Sequence, residues 1–155
     1  MALTYYKWKF EGVSVAMTLL ISLMILMPIY ANTRDYRFYL FNFLFVFLFL
    51  TFTRYIFLLK MTPFSHHQIS KLIIIFFSIP LIWLILDGVG QFQSYSDELG
   101  LQTFVEHLEA EEQSSIILYM KNQMLFFGAG SIVATIILAL RLVVSIWRVK
   151  NTSRV

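Results

Sequence analysis

Apolar residues gather into four runs, 13–31, 38–59, 69–86 and 124–147, with short polar pieces between the first three and one long piece, 87–123, before the last. A helix of about 20 mainly apolar residues crosses a hydrocarbon core about 30 Å thick, and each run approaches or exceeds that length. The pattern predicts an all-α integral membrane protein, a bundle of four transmembrane helices forming a single membrane domain over 1–155. Lys71 interrupts the start of the third run and Asp87 closes it; the lysine stem can lie along the span with its ammonium at the interface. Lys7 and Lys9 ahead of residues 13–27 have the outline of a secretory leader. Ile29 and Ala31 make no small-x-small cleavage pair, however, so the first run reads as a retained anchor.

The charges give the bundle a direction. Asp87, Asp97, Glu98, Glu106, Glu109, Glu111 and Glu112, seven of the 9 acidic residues, all lie between Lys71 and Lys121, where no Lys or Arg occurs. With both termini cytoplasmic, that side collects Lys7, Lys9, Arg54, Lys60, Lys71, Arg141, Arg148, Lys150 and Arg154, leaving Arg34, Arg37 and Lys121 opposite. This is the asymmetry of the positive-inside rule. Four spans return the chain to its starting side, so hydropathy and charge agree on N- and C-termini cytoplasmic and segment 87–123 extracytoplasmic. A bacterial inner (cytoplasmic) membrane is the setting such a charge bias suggests in a small chain with no cysteine.

The spans differ in what they offer a neighbour. The second places Phe at 41, 43, 45, 47 and 49, a period of two that would suit a barrel strand. The residues between are Asn42, Leu44, Val46, Leu48 and Leu50, too apolar for a lumen, so the run is a helix with aromatic side chains all round. Phe41, Phe45 and Phe49 are candidates for partner contact. The fourth carries small residues four apart, Gly130 with Ala134, and Ser131 with Thr135 and Ala139, the spacing that lets helices approach closely. Pro28 and Pro80 fall inside the first and third spans, where each removes a backbone donor.

The acidic piece is too polar to lie in lipid and too patterned to be a plain linker. Thr103 followed by Glu106 has the spacing of a capping box, which predicts a short amphipathic helix from Phe104. Leu101, Phe104, Val105 and Leu108 form its apolar stripe and Glu106, Glu109 and Glu112 its wet side. Lacking Lys and Arg, that helix would rest on protein rather than on anionic lipid, which makes Leu101, Phe104 and Leu108 candidate partner contacts. The acidic side suggests a basic extracytoplasmic protein segment as a further partner. Its carboxylates lack the spacing of a calcium loop.

Composition narrows the chemistry. Hydrophobic residues are 59% of the chain, charged residues 14%, and the mean hydropathy is +0.73, which together exclude an ordinary soluble domain. The formal charge of +3 marks helix ends rather than a dense patch, so nucleic acid is not an expected partner. Without cysteine there is neither a disulfide nor a thiolate metal site. His66 and His67 sit together in one connection and His107 in another, so no span offers the inward histidine that haem requires. No zincin, phosphate-loop or nucleophile-elbow motif is present, and no metal or cofactor is called for. In the runs or at their ends the polar residues with chemistry are Asp87, at the outer end of the third, Asn42 and Arg141, with Arg54 and Arg141 close enough to the cytoplasmic interface to snorkel.

These features suggest a non-catalytic accessory or structural subunit of a larger membrane complex, in contact with other integral membrane subunits and with the bilayer. The competing reading is a small transporter or ion-conducting bundle using Asp87, Asn42 and Arg141. A lipid-modifying enzyme would need an inward-facing polar cluster that the sequence does not supply.

Overall fold

The computed structural model describes residues 2–62 and 67–152, and every regular element among them is helical. α1 runs Ala2–Asn32, α2 Tyr39–Leu58, α3 Gln68–Glu98 and α4 Ala110–Thr152, with 3-10 turns at Leu59–Met61 and Gln102–Phe104. All four α-helices are long and apolar enough to cross a membrane. α2, with 20 residues, is about 30 Å long and matches the hydrocarbon thickness. α1 and α3, with 31 residues each, and α4, with 43, exceed it by about 15 to 35 Å.

Successive helices alternate in direction. Glu11 near the start of α1 meets Arg54 near the end of α2, and Lys71 at the start of α3 meets Ser145 near the end of α4. Tyr119, early in α4, reaches the carbonyl of Ile25, late in α1. The start of α1 and the end of α4 therefore share one end of the bundle, the terminal end. Connections 33–38 and 99–109 share the other, the loop end. α2 and α3 both pack chiefly on α4, while α1 lies at the edge against α2.

Two boundaries depart from the apolar pattern. α3 continues past Leu86 to Glu98, because a stripe of Ile85, Gly88, Phe92 and Tyr95 keeps one face on the bundle while the other turns polar. It ends where Gly100 takes φ +75°, the left-handed conformation that closes many helices. The amphipathic helix expected from Phe104 does not form. The carbonyl of Phe104 accepts the backbone N–H of Arg34 at 3.0 Å instead of that of residue 108, and 101–108 fold as successive short turns. α4 begins at Ala110, with Glu111 and Glu112 in its first turn, where carboxylates complement the exposed amide donors.

Burial is densest at the loop end, where Phe38, Phe45, Phe92, Phe104, Met120 and Met124 belong to one cluster; a smaller one joins Leu59, Leu138 and Leu142 at the terminal end. The hydroxyls of Thr18 and Ser22 on α1, and of Ser78 on α3, bond the carbonyl four residues back, which satisfies them where lipid offers no partner.

The small residues of α4 meet large ones on its neighbours. Ser131 Oγ donates to the carbonyl of Phe45 at 2.7 Å. A methyl on Gly128 would stand 2.5 Å from Val89 Cγ2, and one on Gly130 2.9 Å from the Phe49 ring. Ser131, Ala134 and Thr135 are buried, Gly130 and Ala139 partly so. Val89 Cγ2 sits on a stiff β-branched side chain, so the clash at Gly128 must be relieved by moving helices. Gly128→Val is expected to destabilise the bundle by about 1–3 kcal/mol or more, read as a lowered unfolding midpoint in detergent.

Candidate functional site

α2 and α3 touch each other little, and towards the loop end they leave a lateral groove of about 900 Å³. One wall is Arg37, Phe38 and Phe41; the other is a face of α3 bearing Asp87, Gly90, Gln91, Ser94 and Glu98. Positions 87, 91, 94 and 98 fall on one helical stripe, and all four polar side chains are exposed. Gln91 Nε2 donates to Asp87 Oδ2 at 2.8 Å.

The depth of this stripe decides its meaning. Gly88, the next residue after Asp87, faces the rings of Phe41 and Phe45. Those residues lie about 3 to 9 Å along a helix that is itself only as long as the hydrocarbon core is thick. Asp87 accordingly lies level with the first turns of α2 near the loop end. It is a carboxylate on the flank of a helix, turned away from the bundle, where a charge is costly without a partner.

The expected partner contacts are redistributed. Phe45 is fully buried behind Gly88 and Gly128, and Phe49 packs on Phe126 and Phe127, so of the three only Phe41 reaches the groove. Leu101 and Phe104 are buried, and Leu108 packs beside them. Phe104 stacks on Tyr95 and meets Tyr36 edge-on. The support that their apolar stripe demanded is the chain's own loop end.

Asn42 is also internal. Its Nδ2 donates to the Tyr36 hydroxyl at 2.9 Å, and it is fully buried. Burial pushes the Tyr36 hydroxyl above its ordinary range, outweighing the opposite effect of the Asn42 bond, so it stays neutral at physiological pH. Next to it, Thr33 and Tyr39 share a 2.6 Å hydrogen bond. A second groove of about 490 Å³ joins the first at Arg37 and Tyr95 and holds Glu106 and His107.

At the terminal end the structure reveals a pair that the hydropathy pattern hides. Arg54 Nη2 donates to Glu11 Oε1 at 2.6 Å, and Tyr55 Oη donates to the same oxygen at 2.6 Å. Both charged side chains are only 10% exposed. Arg54 thus does not snorkel to the interface; it turns inward and ties α1 to α2. Lys71 likewise turns inward, 1% exposed, and donates to Ser145 Oγ at 3.1 Å. Arg141 is exposed beside Leu59 and Arg148.

The structure does not bring Asp87, Asn42 and Arg141 together. Asp87 faces outward and Asn42 inward, while Arg141 lies 13 positions beyond Gly128, about 20 Å along α4. His66 lies outside the described residues. Among the described residues no three His, Asp or Glu side chains stand together as a metal site would need. What the arrangement presents is a set of carboxylates, an amide, a hydroxyl and small residues on one accessible helix flank.

Four long apolar helices define the class, a multi-pass integral membrane protein, and a laterally open groove with a polar wall runs between two of them. No protein-family model matches the chain, and no curated protein or solved structure matches it.

Proposed function

We propose that this chain is a non-catalytic subunit of a larger membrane complex, and that the flank of α3 from Asp87 to Glu98 is where a transmembrane helix of another subunit docks. The observation that carries this reading is the hydrogen-bonded Asp87–Gln91 pair, exposed on a helix flank at the level of Phe41 and Phe45. Lipid tails offer such groups no hydrogen bonds, whereas a helix carrying an amide, a hydroxyl or a basic side chain does. Gly90 and Ser94, four apart on the groove wall, form the small-xxx-small spacing that lets a second backbone approach. The exposed Asp97, Glu98, Glu109, Glu111 and Glu112 add an acidic collar suited to a basic segment of the same partner outside the bilayer.

In this reading the terminal end is cytoplasmic and the loop end extracytoplasmic. Lys7, Lys9, Arg141, Arg148 and Lys150 favour that orientation, against Arg34, Arg37 and Lys121 at the other end, and a bacterial inner membrane fits the same bias. Extraction in a mild detergent followed by native mass spectrometry tests the assignment. The expected result is this chain in a stoichiometric complex with another integral membrane protein; a chain that leaves the membrane alone, folded and monomeric, would contradict it.

A further inference from the structure

At the terminal end, α4 and the end of α2 enclose a pocket of about 370 Å³ lined by Leu59, Arg141, Val144, Ser145, Arg148 and Val149. That volume falls in the range of about 300 to 1,000 Å³ common to small-molecule sites. Two arginines frame it seven residues apart, about 10 Å along the helix, and its lining among the described residues includes no carboxylate side chain. We infer that this pocket binds the phosphate headgroup of an anionic phospholipid.

Three observations support the assignment. The first is depth: Leu59 directly follows α2, whose length equals the hydrocarbon core, so the pocket opens where phosphates lie. The second is Lys71. The residue is buried at 1% exposure, and among the described residues the one hydrogen bond of its ammonium is to Ser145 Oγ, on a residue that lines the pocket. A buried cation with no carboxylate partner among the described residues favours an anion nearby. Because Ser145 Oγ accepts from Lys71, its own proton is left to donate to a phosphate oxygen. The third is the lining itself. Leu59, Val144 and Val149 give an apolar floor for the first carbons of an acyl chain, which a free phosphate would not use.

The test reconstitutes the intact chain with equal amounts of phosphatidylglycerol and phosphatidylcholine of matched chains and measures retained lipid by native mass spectrometry. At about 1 kcal/mol per basic residue near the headgroups, two arginines give roughly a thirty-fold preference for the anionic lipid. The double substitution Arg141→Gln with Arg148→Gln should bring retention close to parity, while Lys121→Gln, towards the opposite end, should preserve the preference. Arg141 and Arg148 are exposed and Lys121 partly so, and an unchanged melting profile establishes that each variant is folded. Equal retention of the two lipids by the unmodified chain, or a preference that survives the double substitution, overturns the inference. A competition arm separates the sources of phosphate: inorganic phosphate that displaces the lipid at equal concentration would show a free-phosphate site and overturn the lipid assignment.

Discussion

Arg54→Met is expected to destabilise the folded bundle by about 3–5 kcal/mol, the usual cost of removing one member of a buried ion pair. The substitution leaves the Glu11 carboxylate at a site only 10% exposed, with Tyr55 as its remaining hydrogen-bond donor among those described. α1 rests mostly on α2 and hardly on α4, so the pair is one of few contacts that fix its position along its neighbour. The double variant Glu11→Gln with Arg54→Met should recover most of the loss, because no uncompensated charge is then buried. Equilibrium unfolding in mixed micelles distinguishes the outcomes: a silent single substitution, or a double variant no better than the single, would show that the pair does not hold α1.

The second large effect concerns the α3 flank. Asp87→Lys places a cation where a donor-bearing or basic partner helix is proposed to sit, and opposed like charges cost several kcal/mol across an interface. Partner affinity should fall by about a hundred-fold or more, while the milder Asp87→Leu should cost about ten-fold through loss of one intramembrane hydrogen bond worth about 1–2 kcal/mol. Neither change should alter the folding of this chain, since the Asp87 side chain is exposed and its hydrogen bond is to Gln91 alone among the described residues. Quantifying the co-purified partner against a fixed amount of this chain checks both values.

Four helices were legible because runs of apolar residues near the length of a bilayer have few alternative folds. The ends of those helices were not, and the reason is averaging. Across 87–98 and 110–123 the polar residues lower the hydropathy, yet Gly88, Phe92 and Tyr95 on α3, and Ile116, Met120 and Met124 on α4, keep a helical apolar stripe against the core. Read as period rather than as content, both extensions were present in the sequence. The same holds for the flank of α3, where Asp87, Gln91, Ser94 and Glu98 recur at intervals of four and three.

Other features had no local signal. Thr103 and Glu106 satisfy a capping rule, but the carbonyl of Phe104 is taken by Arg34 from a distant connection, and tertiary contact overrides the local preference. Glu11 and Arg54 each look like an interfacial charge at the edge of an apolar run. Only the pairing of helices, which hydropathy does not encode, makes them partners. The single clue was that two charges of opposite sign, one just before the first span and one inside the second, fell near the same end.

The central claim is that the Asp87–Glu98 flank of α3 faces another protein within the membrane. Site-specific photo-crosslinking in native membranes tests it, with a photoreactive phenylalanine analogue in place of Ser94 and, separately, of Leu140, which is also exposed but lies near the terminal end of α4. A discrete protein adduct from position 94 and lipid adducts from position 140 is the predicted result. Lipid adducts alone from position 94 would contradict it.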